Sequence, residues 1–155
     1  MQLYGQSIGG AVCLYAASTH PDIVRHIPFL LLISQVRGVI VENTFVSLQS
    51  LIPSILPKIP QFLLPILLTE RWDATLTMPK IPTSTPMLLL SGKQDVLVPP
   101  SHMAELKALR GDGRVRWREF DGEHNTTCLM PDYWEEVGKW LRDEVEGSEV
   151  LEKGE

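Results

Sequence analysis

The sequence predicts an α/β fold, with about four parallel strands in sequential order and helices on both faces of the sheet. Two runs, RGVIVE at 37–42 with its β-branched VIV centre and the apolar MLLL at 87–90, carry that reading. Unbroken apolarity without polar alternation marks strands buried on both faces. Helical segments fall between the strand segments, and such alternation implies a parallel sheet covered by helices.

Taken in order, Gln2 to Tyr4 reads as the end of a strand and Gly5 to Gly10 as a glycine-rich turn. Ile8 to Ser18 is a helix of small and apolar residues, and Pro21 cannot continue it. Next come a short apolar run, Pro28 to Ile33, and the strand Arg37 to Glu42. Thr44 to Thr69 is apolar and punctuated by prolines, which predicts short helices; 44–80 forms a cap-like region. After the strand Met87 to Leu90, Ser91 to Pro100 is a loop. Ser101 to Arg110 is a helix with Glu105 near its start and basic residues near its end. Val115 to Phe120 is a strand and Asp121 to Thr127 a polar loop. Asp132 to Val145 is an amphipathic helix with Tyr133, Trp134, Val137, Trp140 and Leu141 as its apolar stripe. One domain is expected over 1–146, with 147–155 a charged, frayed tail.

Composition narrows the function. The 155 residues carry a net charge of -5, whereas a nucleic-acid partner calls for a basic face. Arg114, Arg116 and Arg118 alternate along a strand and read as one solvated face. Two cysteines, Cys13 and Cys128, make no disulfide framework, and a reducing, intracellular setting fits them. No secretory leader is legible. Leu51 to Leu68 is apolar but holds Lys58 and four prolines, unlike a clean spanning helix. No metal-ligand spacing, P-loop or dinucleotide fingerprint occurs, so no metal or cofactor is expected.

The chemistry concentrates in three places. Gly5-Gln6-Ser7-Ile8-Gly9 matches G-x-S-x-G, in which a serine is held on a sharp strand-to-helix turn. Gly5 and Gly9 are expected to flank Ser7 because larger side chains would collide with strand and helix. A plain small-residue helix start is the bland alternative. Serine needs a base. His20 and His26 look like surface residues and His102 sits at a helix start, as a cap or facing solvent. His124 lies in a loop after the strand Val115 to Phe120, where parallel sheets place their chemistry. A satisfied loop histidine is the alternative reading. The base needs a carboxylate. Asp95 follows the strand MLLL, and Asp121, though close in sequence, sits too near its strand end to reach round the ring. The order Ser, Asp, His is that of nucleophile, acid and base on such a sheet.

These residues resemble a known family. YGQSIGGAV at 4–12, VIVENTFVSL at 39–48, PMLLLSGKQDVLVPPSHM at 86–103, FDGEHNTT at 120–127 and YWEEVGKWL at 133–141 are similar to the bud-emergence (Bem) type of α/β-hydrolase-domain proteins. The resemblance covers Tyr4 to about Leu141. It implies Ser7 as nucleophile, Asp95 as acid and His124 as base, acting on acyl esters or thioesters, with the Ile8 backbone N–H as one oxyanion donor. Relatives include protein depalmitoylases tethered to membranes, so a small-molecule or lipidated-protein acyl substrate and an endomembrane location are implied for the full-length form.

Family members also carry an N-terminal half with further strands and a second oxyanion donor. The chain is therefore expected to be a C-terminal half, weak or inactive alone, with HIPFLLLISQ at 26–35 an insertion relative to the family. A serine aminopeptidase of the same fold is one alternative. A non-catalytic binding or regulatory fragment is another, pairing through a sheet edge or lying on a membrane through Leu51–Leu68.

Overall fold

The computed structural model describes residues 1–19, 36–64, 68, 72–111 and 113–146. Its strands are β1 (Gln2–Gln6), β2 (Gly38–Glu42), β3 (Met87–Gly92) and β4 (Val115–Phe120). All neighbouring pairs are parallel, in the order β1-β2-β3-β4. The helices are α1 (Ile8–Thr19), α2 (Leu48–Ile55), α3 (Ala74–Thr77), α4 (Pro100–Arg110) and α5 (Tyr133–Trp140). The expected α/β fold is thus the one observed. The segment 26–35 and the tail beyond 146 lie outside the described residues.

Strand alternation builds the core. Val39, Val41, Met87 and Leu89 point to one face, where Leu14 and Ala17 of α1 and Met103 and Leu106 of α4 cover them. Ile40, Leu88 and Leu90 point to the other, against Phe120 and the α5 residues Tyr133, Val137 and Trp140. Each such aliphatic side chain contributes about 1.5–3 kcal/mol on full burial. The two central strands are buried along their whole length, and the runs Val39–Val41 and Met87–Leu90 are apolar because both of their faces are covered.

Tyr133, Val137, Trp140 and Leu141 follow helical spacing and meet the sheet. Trp134, expected in the same stripe, is instead 61% exposed. One residue advances about 100° round the helix, which turns its ring outward onto Tyr4 and Tyr133. Asp132 stands outside the helix in the left-handed region (φ 64°), and from Leu141 to Glu146 the winding is π-helical. Arg116 is not simply solvated: it pairs with Asp143 and Glu144 at 3.1 and 3.3 Å, and Arg114 meets Glu144 at 2.6 Å. These acids offset the charges of Arg114 and Arg116.

The proline-punctuated region forms α2, capped by Ser47, a 3₁₀ turn at Gln61–Leu63, and α3, capped by Asp73. No helix among the described residues is long and apolar enough to cross a membrane. Further on, the buried Arg110 guanidinium donates to the carbonyls of Ile81, Pro82, Thr83 and Thr85, fixing the approach to β3.

The structure also corrects the reading of His102, which is buried, with Nδ1 3.5 Å from the Val46 amide. Burial lowers its pKa, partly opposed by Glu105. The unfolded chain therefore takes up this proton first. The stabilisation is complete above the ordinary histidine pKa and is lost as pH falls through it. The wild-type Tm is expected to drop relative to His102→Asn between about pH 7 and about pH 5. Parallel melting curves for the two proteins in calorimetry would contradict this.

Candidate active site

Ser7 joins β1 to α1 with φ at 54°. A left-handed backbone is strained for a residue with a Cβ and clusters at functional turns. The turn is pinned from β2: Ser7 N–H donates to Glu42 O at 3.0 Å and Thr44 Oγ1 donates to Ser7 O at 2.6 Å. Gly5 is required by close approach, since a Cβ there would lie 2.2 Å from Gly9 O. Gly9 is not the second sterically required glycine. A Cβ there meets nothing within 4 Å, whereas one at Gly10 would lie 2.6 Å from Thr44 Cβ. The tight partner sits one residue later because α1 turns its Gly10 side toward β2. Ile8 opens α1, and N–H groups of a first helical turn have no intrahelical acceptor.

Asp95 follows β3 and is buried. Its Oδ1 accepts from the Leu97 and Val98 amides at 2.9 and 2.8 Å, and its Oδ2 lies 2.7 Å from His124 Nδ1. A carboxylate only accepts, so Nδ1 donates, and in the neutral ring the lone pair then sits on Nε2. Asp121 is exposed and pairs with Lys93 at 3.1 Å, away from the imidazole. Ser7, Asp95 and His124 all follow carboxyl ends of parallel strands, which puts them on one rim of the sheet. Asp95 and His124 are in direct contact. Ser7 Oγ makes no hydrogen bond among the described residues, and such contacts often close only with substrate present.

Two features escaped the sequence. Glu42 ends β2, Asn43 and Thr44 follow it, and all three are fully buried; a polar run at that point is the available signal. Glu42 Oε2 accepts from the hydroxyls of Tyr4 at 2.5 Å and Tyr133 at 2.6 Å. Burial and the Glu42 hydrogen bond hold both phenols above their ordinary pKa. The second feature is the glycine contact between the Asp95 and His124 loops, where a Cβ on Gly92 would lie 2.3 Å from Thr127 Oγ1.

A four-stranded parallel sheet with a strained serine turn and a carboxylate-bound histidine on one rim is an α/β-hydrolase arrangement. Solved structures agree at the level of fold. The Pyrococcus furiosus esterase Pf2001 superposes with a TM-score of 0.65 at 17% identity, over 93% of this chain and 53% of that one. Zea mays acyl-protein thioesterase 2 superposes with a TM-score of 0.51 at 22% identity, over 92% and 55%.

No family model matches the chain, but sequence relatives are clear. It is 37% identical over 140 residues to the uncharacterized membrane protein YNL320W of Saccharomyces cerevisiae, covering 90% of this chain and 44% of that protein. It is 32% identical over 146 residues to protein bem46 of Schizosaccharomyces pombe, covering 91% and 43%. With the α/β hydrolase domain-containing protein WAV2 of Arabidopsis thaliana the identity is 31% over 147 residues, covering 85% and 43%. The chain is thus similar over most of its length to Bem46-like α/β-hydrolases, and it spans less than half the length of these curated relatives.

Proposed function

We propose that the chain carries the nucleophile, acid and base of a serine hydrolase that cleaves acyl esters or thioesters through an acyl-serine intermediate. The observation that carries this reading is the buried 2.7 Å contact of Asp95 with His124 on the rim that also bears the strained Ser7 turn. Ser7 Oγ attacks the acyl carbon while His124 Nε2 takes its proton. The Ile8 N–H stabilises the oxyanion, and the imidazolium returns the proton to the departing alkoxide or thiolate. Water then attacks the acyl-serine by the same route, regenerating Ser7. Exposed Ile8, Val96 and Leu97, each within two residues of Ser7 or Asp95, suit an apolar acyl chain. The esterase and thioesterase among the structural neighbours support the same substrate class. Membrane association is part of the proposal, because one relative is named a membrane protein.

The test compares wild type and Ser7→Ala on a p-nitrophenyl ester and an S-acyl thioester. The proposal expects hydrolysis that falls to the uncatalysed background in Ser7→Ala. Hydrolysis above background that persists unchanged in Ser7→Ala would remove it. A Ser7→Ala protein that kept the full biological effect would point instead to a binding role.

A further inference from the structure

Ser7 and His124 are not bonded to each other, yet acyl transfer needs them within about 2.6–3.2 Å in the reacting complex. The main-chain carbonyl of His124 shows what holds them in register. It accepts from Gln6 Nε2 at 2.6 Å and from Asn43 Nδ2 at 3.1 Å. A carbonyl oxygen has two lone pairs, and these two carboxamides occupy both. Gln6 ends β1 and is covalently joined to Ser7. Asn43 follows β2 in a left-handed conformation (φ 45°) that asparagine tolerates better than most residues. Its Oδ1 accepts from Gly92 N at 2.7 Å, three residues before Asp95, and its Nδ2 also donates to Thr127 Oγ1 at 2.8 Å. The nucleophile turn, the acid loop and the base loop thus meet through two side-chain amides.

We propose that Gln6 and Asn43 form an amide clamp on the His124 main chain, and that they act as positioning residues: Gln6 sets the separation of His124 from Ser7, and Asn43 sets the register of His124 with Asp95. The clamp rests on the serine-hydrolase reading for its chemical consequence, but its geometry can be tested without it. Asn43→Asp is the sharp variant. It is isosteric and keeps an acceptor for Gly92 N, but it replaces the donor facing His124 O and Thr127 Oγ1 with a second acceptor. Gln6→Glu does the same on the nucleophile side. Asn43→Gly removes the amide while keeping the left-handed backbone accessible, and serves where Asn43→Asp fails to fold.

Two readouts separate the outcomes. The first is the low-field proton resonance of His124 Nδ1–H in its bond to Asp95, which needs no catalysis. Asn43→Asp, or Asn43→Gly, is expected to lose or broaden it, and Gln6→Glu to keep it. The second is ester hydrolysis. A misplacement of about 1 Å can cost about 100-fold, so both Asn43→Asp and Gln6→Glu are expected to lose roughly that much in kcat with KM little changed. Variants that keep both the resonance and the wild-type kcat overturn the clamp. A wild type that hydrolyses nothing, the outcome expected of a C-terminal half alone, leaves the resonance as the deciding readout. The resonance still decides the Asn43 arm then: its loss in the Asn43 variants upholds that arm, and its retention overturns it.

Discussion

Asp95→Asn is expected to lower turnover by about 10⁴-fold, and His124→Ala by about 10⁶-fold. The Asp95 geometry explains why so small a change weighs so much. Oδ1 faces two amide donors, from Leu97 and Val98, while Oδ2 faces His124 Nδ1. An asparagine can satisfy only one side. With its oxygen toward the two amides, its NH₂ meets Nδ1, which must become an acceptor, and the remaining ring proton moves to Nε2. That imidazole cannot take the Ser7 proton. With the amide reversed, its NH₂ confronts two backbone donors with nothing to accept them. Asp121→Asn serves as the control: its partner is Lys93 in an exposed pair, and such pairs contribute about 0–1 kcal/mol. Steady-state kinetics on the four proteins, with circular dichroism to confirm folding, provides the check. An Asp95→Asn enzyme within tenfold of wild type would contradict the assignment.

The second large effect is structural. Gly5→Ala is expected to destabilise the fold by about 3 kcal/mol or more, the upper end for overpacking. The added methyl would lie 2.2 Å from Gly9 O, 2.4 Å from Gly9 C and 2.7 Å from Gly10 N. All three are backbone atoms of the first turn of α1, so no side chain can swing clear. Relief requires moving α1 away from β1, which also moves Ser7. Gly9→Ala has the opposite expectation. Its Cβ enters open space, and alanine is about 1 kcal/mol more favourable than glycine inside a helix. Chemical denaturation of the two variants tests the contrast. A Gly5→Ala protein as stable as Gly9→Ala would refute the close-approach argument.

What the sequence made legible was local. β2 and β3 could be read because both of their faces are buried, so Val39–Val41 and Met87–Leu90 are apolar without interruption. β4 emerged with the bounds expected, between a glycine turn and a polar loop. Ser7, Asp95 and His124 could be placed on one rim because each follows a strand of a parallel sheet. The rest depends on contacts between distant segments. Asn43 meets His124 across 81 residues and Gly92 across 49, and no periodicity encodes such a bond. The steric role of Gly10 depends on Thr44, and the burial of His102 on Val46. Trp134 shares the composition of the α5 stripe but not its angle. That distinction needs the actual helix phase against the sheet.

On the proposed reading, the Asp95–His124 pair activates the hydroxyl of Ser7. Treatment with a fluorophosphonate, followed by peptide mass spectrometry, tests it most directly. A phosphonyl adduct is expected on Ser7, absent in Ser7→Ala and formed far more slowly in Asp95→Asn. An adduct on another serine, or equal labelling of Ser7 in wild type and Asp95→Asn, would contradict it.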